Sequence, residues 1–203
     1  MTELQRLYST PGIDIHPYRL ALPAQARARI KHQQPCCIWL TGLSGAGKST
    51  LGNELEIQLN SRGLHTFLLD GDNVRNGLCR DLCMSPESRK ENIRRMAEVA
   101  RLMVDAGLIV IVSAISPFRA DREAARALFA EGQFRCAYIS TSFAACAKRD
   151  PKGLYRAALD GRLPHFTGLD SPYEAPLDAD CEIDTELLDI PTATQQLLRL
   201  VLP

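Results

Sequence analysis

The residues best suited to chemistry in this sequence form a glycine-rich run from Gly42 to Ser49. The run reads GLSGAGKS and fits the pattern G-x-x-x-x-G-K-[ST] at every fixed position. Its glycines let backbone N–H groups converge on a phosphate, and a following helix adds its positive dipole end. Lys48 can reach the terminal phosphates of a nucleotide, and the Ser49 hydroxyl can ligate Mg²⁺. A glycine-rich turn with a chance lysine is the alternative, and the predicted strand-loop-helix context disfavours it.

A second set of polar residues follows two other predicted strands. Asp70 and Asp72 emerge at the end of strand 65–70, at the sheet edge where open α/β folds bind ligands. A carboxylate there can hold Mg²⁺ through water or accept the proton of an attacking hydroxyl. The alternative is an Asx turn with a helix cap, since Asp-Gly is a common turn pair. Ser116 follows strand 108–114 and reaches the same edge, unless it is a plain helix N-cap.

Basic residues cluster in the segment after Asp72. Arg89 and Asn92 are three positions apart, so they share one face of a predicted helix. Arginine forks suit the paired oxygens of a phosphate or sulfate, and Arg75 and Arg89 are the candidates for such a role. For Arg94 and Arg95 a solvated helix surface is the favoured interpretation.

Short aliphatic runs alternate with longer amphipathic stretches from Cys36 onward, which is typical of β-α-β units. We therefore predict an α/β fold with a five-stranded parallel sheet and helices on both of its faces. The predicted strands are 36–41, 65–70, 108–114, 134–140 and 181–185, and the predicted helices are 48–61, 86–106, 119–130, 142–149 and 191–201. The segment from Lys152 to Leu177 is rich in glycine and proline, and we expect an irregular lid there.

Composition limits the function classes. The chain has 203 residues with 24 basic and 24 acidic side chains, which predicts one domain and no general affinity for nucleic acid. No apolar run is long enough for a membrane span, and the first 20 residues lack the order of a signal peptide. Seven scattered cysteines indicate free thiols, so we expect a cytoplasmic protein. Residues 1–33 are interpreted as an N-terminal arm, and 34–203 as the folded domain.

P-loop folds serve as kinases, switches and motors, so the motif alone does not select one of them. No base-reading N/TKxD run is present, and a small single domain suits a kinase for a small acceptor. Several further motifs then carry a resemblance: LDGDNVRNGL, RKENIRRMAEVARLMVDAG, SAISPFRADR, KRDPKGLYRAA and FTGLDSPYEAP. In this order and spacing, over about residues 34–187, the sequence resembles the adenylylsulfate kinases. DGDNVR and the FTG and SPYEAP runs are far more specific than the P-loop.

The resemblance implies a P-loop kinase fold and an activity. Such an enzyme transfers the γ-phosphate of ATP to the ribose 3'-hydroxyl of adenylyl sulfate (APS), giving 3'-phosphoadenylyl sulfate (PAPS). The resemblance further implies Mg²⁺ as cofactor, a role in sulfate activation and a homodimer. It also suggests an association with ATP sulfurylase. It implies Lys48, Asp72 and Ser116 as catalytic residues, and Ser49 and Asp72 as metal ligands. The ATP-binding residues that it implies are Gly42, Leu43, Ser44, Gly45, Ala46, Gly47, Lys48, Ser49, Thr50 and Arg149.

For the acceptor, the resemblance implies contacts with APS from several parts of the chain. Arg75, Arg89 and Asn92 match positions that hold the phosphosulfate and ribose, and Phe166 matches an aromatic that stacks on the adenine of APS. Ser116 matches a position that relatives can carry as phosphoserine. The full implied set is Asp72, Arg75, Met84, Arg89, Asn92, Ile115, Ser116, Lys152 and Phe166.

The sequence departs from the family pattern at two places. Many relatives have a phenylalanine that completes an aromatic sandwich where this chain has Leu82-Cys83-Met84-Ser85, so Met84 either takes that place or packs in the core. The double histidine that is frequent in the arm is replaced by the isolated His16 and His32. Two other functions stay open at this point: a kinase for another acceptor, such as a nucleoside monophosphate or a sugar acid, and a silent nucleotide-fold module.

Overall fold

The computed structural model describes residues 16, 18 and 20–202. Five strands form one sheet, and each coincides with a strand predicted from an aliphatic run. They are β1 (Cys37–Thr41), β2 (Thr66–Asp70), β3 (Ile109–Ser113), β4 (Phe134–Ile139) and β5 (Cys181–Ile183). All neighbouring strands are parallel, in the order β2-β3-β1-β4-β5. The predicted five-stranded parallel sheet is therefore confirmed.

Helices lie on both faces of the sheet, and β1 is therefore buried on both of its sides. Ile38 and Leu40 point into a core shared with one group of helices, whereas Cys37 and Trp39 point into a core on the opposite face. The principal helices are α1 (Ala24–Ile30), α2 (Lys48–Asn60), α3 (Gly71–Arg75), α4 (Pro86–Asp105), α5 (Arg119–Arg126), α6 (Phe143–Arg149), α7 (Leu154–Leu159) and α8 (Ile190–Leu198). Helices α2 and α8 pack on the first face, and α4 and α5 on the second.

Helix α4 shows how local sequence sets these elements. Ser85 caps its N-terminus by accepting a hydrogen bond from the N–H of Ser88, and Pro86 occupies the first turn, where no N–H is needed. The predicted apolar face is buried as expected: Ile93, Met96, Ala97, Ala100 and Val104. Because this helix carries Arg89 and Asn92, its burial fixes two candidate APS contacts.

The lid segment is more ordered than its composition predicts. The expectation of an irregular chain throughout 152–177 is wrong at α7, which occupies 154–159. The reason is a capping interaction from outside the segment: the carboxylate of Asp150 accepts hydrogen bonds from the N–H groups of Tyr155 and Arg156, each at 3.0 Å. The rest of the segment contains only turns and one isolated bridge, between Thr167 and Ser171.

About half of the predicted arm, residues 1–33, lies outside the described residues. Its last part contains α1, and the guanidinium of Arg27 donates to the carbonyl of Asp105 at 3.2 Å. Helix α1 is thereby attached to the end of α4. In the part of the chain that the structure describes, no helix is both long and apolar enough to cross a membrane.

Candidate active site

A cavity of about 1030 Å³ opens at the carboxyl ends of the parallel strands. The P-loop, α3, α4, the Ile115–Ser116 loop and the lid segment all contribute to its wall. Every predicted APS contact lines it: Asp72, Arg75, Met84, Arg89, Asn92, Ile115, Ser116, Lys152 and Phe166. The predicted ATP contacts divide: Ser44, Gly45, Gly47, Lys48, Ser49, Thr50 and Arg149 line the cavity. Gly42, Leu43 and Ala46 are not among the lining residues.

Gly42 has a structural role beneath the P-loop. Its φ is +147°, and a Cβ placed on it would lie 2.4 Å from the carbonyl oxygen of Ile139. Only glycine fits between β1 and β4 at this point. The chain can therefore turn sharply after β1 and direct the following backbone amides into the cavity.

Lys48 is the first residue of α2 and is 8% exposed. Its ammonium group donates hydrogen bonds to the carbonyls of Gly42 at 2.9 Å and Leu43 at 2.7 Å. Burial lowers the pKa of Lys48 to about 8, from an ordinary value of 10.5. A phosphate beside this buried ammonium group would stabilise its charged form.

Three oxygen-bearing side chains meet next to the P-loop. Ser49 Oγ donates to the Asp70 carboxylate at 2.6 Å and lies 3.3 Å from Ser113 Oγ. Asp70 also accepts hydrogen bonds from the N–H groups of Asp72 and Asn73, at the start of α3. The helix-cap interpretation of Asp70 is thus confirmed, and the same carboxylate still reaches the P-loop serine.

Asp72 and Lys152 bring α3 and the lid together. Their carboxylate and ammonium groups form an ion pair across the cavity, although 63% of the Asp72 side chain and 52% of the Lys152 side chain are exposed. The sequence assigned both residues to the acceptor site without predicting this contact.

Arg89 and Asn92 face the cavity from α4. Arg89 donates to Thr167 Oγ1 at 3.0 Å and to the carbonyl of His165, so it holds the lid on both sides of Phe166. Burial lowers the pKa of Arg89, and the charge of Arg75 acts in the same direction. An anion near these two guanidinium groups would relieve that repulsion.

Asn92 is 4% exposed, and its Oδ1 has no hydrogen-bond partner among the described residues. A buried acceptor of this kind is costly unless a ligand donates to it. Arg94 and Arg95 instead form ion pairs with Glu91, and Arg95 also with Asp81, which agrees with the predicted helix surface.

Ser116 lies in a buried hydrogen-bond network. Its Oγ accepts from the indole N–H of Trp39 at 3.0 Å and donates to Thr41 Oγ1 at 3.0 Å. Arg122 donates to its carbonyl at 2.5 Å, and its φ is +40°, in the left-handed region. The N-cap alternative is wrong, because Phe118 is the residue that precedes α5. Its catalytic role stays a prediction.

Met84 and Phe166 differ in their surroundings. Phe166 is 6% exposed and packs edge-on against Tyr155, with ring centroids 4.8 Å apart. Met84 is 49% exposed at the cavity wall, so the alternative that it packs in the core is wrong. A ligand between them would therefore have one fixed aromatic wall and one flexible thioether.

The sequence did not predict the part of the cavity wall that Thr185 and the start of α8 form. Arg149 donates to Thr185 Oγ1 at 2.7 Å and to the Thr185 carbonyl at 2.8 Å. Thr185 also donates to the P-loop carbonyl of Ala46 at 3.0 Å. Further lining residues there are Leu188, Asp189, Ile190, Pro191 and Ala193. Thr185 ends the last predicted strand, so its place at the carboxyl edge was the available signal.

Comparison with known proteins decides the family. The adenylylsulphate kinase family model matches residues 34–184. The chain belongs to the adenylylsulfate kinase family. It is 56% identical to the adenylyl-sulfate kinase of Shewanella oneidensis over 173 residues, which are 85% of this chain and 84% of that protein.

Two further relatives extend the comparison. The bifunctional enzyme NodQ of Rhizobium sp. strain N33 is 56% identical over 172 residues, which cover 85% of this chain and 27% of that protein. The solved structure of the Mycobacterium tuberculosis APS kinase in complex with AMPPNP and APS is 40% identical, with a TM-score of 0.79. The match covers 83% of this chain and 98% of that structure. The P-loop kinase fold is therefore that of an adenylylsulfate kinase.

Proposed function

We propose that this chain transfers the γ-phosphate of ATP to the 3'-hydroxyl of APS and releases ADP and PAPS. One observation carries this proposal: a single cavity is lined by the P-loop and by all the residues assigned to APS. Donor and acceptor bound there would lie next to each other, which is what phosphoryl transfer requires. The chain is thus an ATP-dependent phosphotransferase of sulfate activation.

Several polar groups in the cavity have a task in this reaction. Lys48 neutralises charge on the transferring phosphoryl group, and Asp72 accepts the proton as the 3'-oxygen attacks phosphorus. The bond from that phosphorus to the leaving oxygen of ADP breaks in the same displacement. Arg75 and Arg89 hold the phosphosulfate of APS, and Asn92 Oδ1 accepts a hydrogen bond from a ribose hydroxyl of APS. The lid excludes water, which would otherwise compete for the phosphoryl group.

The donor set beside the P-loop fits Mg²⁺. Hydroxyl and carboxylate oxygens are the ligands that this ion prefers, and it binds through one or two carboxylates together with substrate phosphates. We propose Ser49 and Asp72 as its ligands, and Asp70 as the carboxylate that orients the Ser49 hydroxyl. In the described ranges, no group of three or more His, Cys, Asp or Glu side chains forms a metal site by itself. When bound, the ion offsets charge on the phosphates.

We propose the assembly and the boundaries in the same way. Residues 1–33 form an arm and 34–203 the kinase domain, and the family match over 34–184 supports this division.

We propose a homodimer, which exposed apolar side chains such as Ile30 and Leu102 support. An association with ATP sulfurylase and a cytoplasmic location complete the proposal, and the free state of all seven cysteines fits a reducing compartment. Sedimentation of the protein by itself tests the homodimer, and sedimentation of its mixture with an ATP sulfurylase tests the association.

A direct assay tests the activity. Purified protein is incubated with ATP, Mg²⁺ and one acceptor at a time: APS, AMP or gluconate. The product is identified by mass. We expect PAPS from APS and little phosphorylation of AMP or gluconate, since only APS offers a phosphosulfate to Arg75 and Arg89. Phosphorylation of gluconate or AMP with no PAPS would replace the proposal with another small-acceptor kinase, and no transfer at all would indicate a silent module.

A further inference from the structure

Tyr155 contacts residues on both the nucleotide side and the acceptor side of the cavity wall, although no motif assigns it a role. It lies in α7 and is 3% exposed. Its hydroxyl donates a hydrogen bond of 2.7 Å to the carbonyl of Ser44, in the P-loop. Its ring packs edge-on against Phe166 at 4.8 Å and against Phe143 at 5.3 Å. One side chain therefore joins the nucleotide loop to the aromatic wall of the acceptor site.

The bond to Ser44 bears on phosphate binding through the geometry of the peptide unit. In a trans peptide the carbonyl and the following N–H point in opposite directions. Because Tyr155 holds the carbonyl of Ser44, the N–H of Gly45 is turned to the opposite side of the loop. Ser44 and Gly45 both line the cavity. A phosphate that binds this amide therefore fixes the same peptide unit that the phenol holds.

The ring of Tyr155 bears on the acceptor site through its edge-on contact with Phe166. Burial raises the pKa of the Tyr155 hydroxyl, so the group that donates to Ser44 stays protonated at neutral pH. A second contact joins the same two regions, because Gly168 packs closely on its neighbours. A Cβ on Gly168 would lie 3.1 Å from the Leu43 side chain and 3.2 Å from the Phe143 ring. The turn that carries Phe166 is therefore packed directly on the P-loop. Because the P-loop and this turn pack on each other, a ligand that orders one of them leaves less conformational entropy to be lost when a second ligand orders the other.

We propose that Tyr155 is a positioning residue that couples occupancy of the ATP subsite to occupancy of the APS subsite. The inference rests on the proposed function, because it takes the two ligands from it. It goes beyond that function by assigning the linkage between the subsites to one hydroxyl and one ring. Coupling of this kind is reciprocal, so each ligand changes the affinity of the other by the same factor.

Calorimetry on the full chain tests the proposal. The dissociation constant of APS is measured with and without saturating Mg²⁺ and a non-hydrolysable ATP analogue, and the ratio of the two values is the coupling factor. We expect the analogue to tighten APS binding to the wild-type protein. Tyr155→Phe keeps the ring and loses the bond to Ser44, and it should reduce the coupling factor about fivefold, the worth of one hydrogen bond. The reverse titration must give the same reduction.

Tyr138→Phe is the matched control, because Tyr138 lies on β4 outside the cavity lining and stacks on Tyr173. It should leave the coupling factor at the wild-type value. A lower melting temperature for Tyr155→Phe with an unchanged coupling factor would overturn the inference, and so would a wild-type factor of one. If the wild-type protein forms PAPS, either result contradicts the coupling alone. Failure to bind APS at all would overturn the proposed function as well.

Discussion

The ammonium group of Lys152 is paired with the carboxylate of Asp72, which lies 80 residues earlier in the chain. Lys152 comes from the start of the lid segment and Asp72 from α3, so the pair joins two parts of the cavity wall. Both side chains are more than half exposed, and an exposed ion pair contributes at most about 1 kcal/mol to folding. The contact therefore concerns the position of the lid more than the stability of the fold.

The first prediction follows from this exposure. Asp72→Asn should lower kcat by on the order of 10²-fold or more, because a carboxamide cannot accept the proton of the 3'-hydroxyl. The melting temperature should stay within about 4 °C of the wild-type value, since an exposed ion pair contributes at most about 1 kcal/mol. Turnover by PAPS assay and thermal unfolding are measured on the same preparations.

A carboxylate outside the cavity controls for the loss of an ion pair. Asp105 pairs with Arg101 at 2.6 Å, and Asp105→Asn removes the same kind of contact. That variant should keep wild-type kcat. If Asp72→Asn also kept near-normal turnover, Asp72 would no longer be a candidate catalytic residue.

The second prediction concerns the protonation of Lys48. Its pKa of about 8 lies below the ordinary value of 10.5, so between these pH values the folded protein binds fewer protons than the unfolded chain. Stability therefore rises with pH across that window, as the charged form, which burial disfavours, is lost. Phosphates bound beside Lys48 favour the charged form, and about half a proton should be taken up at pH 8 when ATP binds.

Titrations in buffers of different ionisation enthalpy measure this uptake. The groups that act on Lys48 besides burial are Cys146, Lys152, Asp72 and Asp70. Lys48→Arg keeps a charge that does not titrate near pH 8, and it should bind ATP without the uptake. An equal uptake in this variant would assign the proton to another group.

The sheet and the position of the site could be predicted from the sequence for physical reasons. Strands buried on both faces leave continuous aliphatic runs, and the carboxyl ends of β1, β2 and β3 bring Lys48, Asp72 and Ser116 to one edge. Contacts made by the lid could not be predicted. The bond between Tyr155 and Ser44 joins residues 111 positions apart, and it depends on how a turn-rich segment folds back onto the P-loop.

The third prediction separates the acceptor subsite from the donor subsite. Arg89→Lys keeps the positive charge but loses the fork that reaches Thr167 and His165 and that we propose as the ligand of the phosphosulfate. The KM for APS should rise by about tenfold, as expected for a lost charged hydrogen bond, while the KM for ATP changes little. Arg94→Lys on the same helix is the control, because Arg94 pairs with Glu91. Equal effects of Arg89→Lys on both substrates would contradict the assignment.

The fourth prediction tests whether Ser116 anchors its loop. Ser116→Ala leaves the indole N–H of Trp39 buried without its acceptor, which costs about 1–3 kcal/mol and lowers the melting temperature by roughly 2–10 °C. Trp39→Phe removes the donor instead, so the double variant should lose less stability than the sum of the two. An unchanged melting temperature for Ser116→Ala would contradict the anchoring role. The kcat of the same variant, measured by PAPS assay, tests the predicted catalytic role of the hydroxyl separately.

The last prediction concerns the wall opposite Phe166. Met84 is 49% exposed at the cavity, so a larger ring at this position has room to meet a ligand without disturbing the core. A sulfur-to-ring contact is worth about 0.3–1.5 kcal/mol and base stacking on an aromatic about 1–3 kcal/mol. Met84→Phe should therefore tighten APS by about 1 kcal/mol, or about fivefold, and leave ATP affinity unchanged. Ile57→Phe adds a ring to an exposed position of α2 outside the cavity lining, and it should change neither affinity. Calorimetric titration of APS into the three proteins decides the matter: if Met84→Phe binds APS as the wild type does, Met84 does not face the adenine.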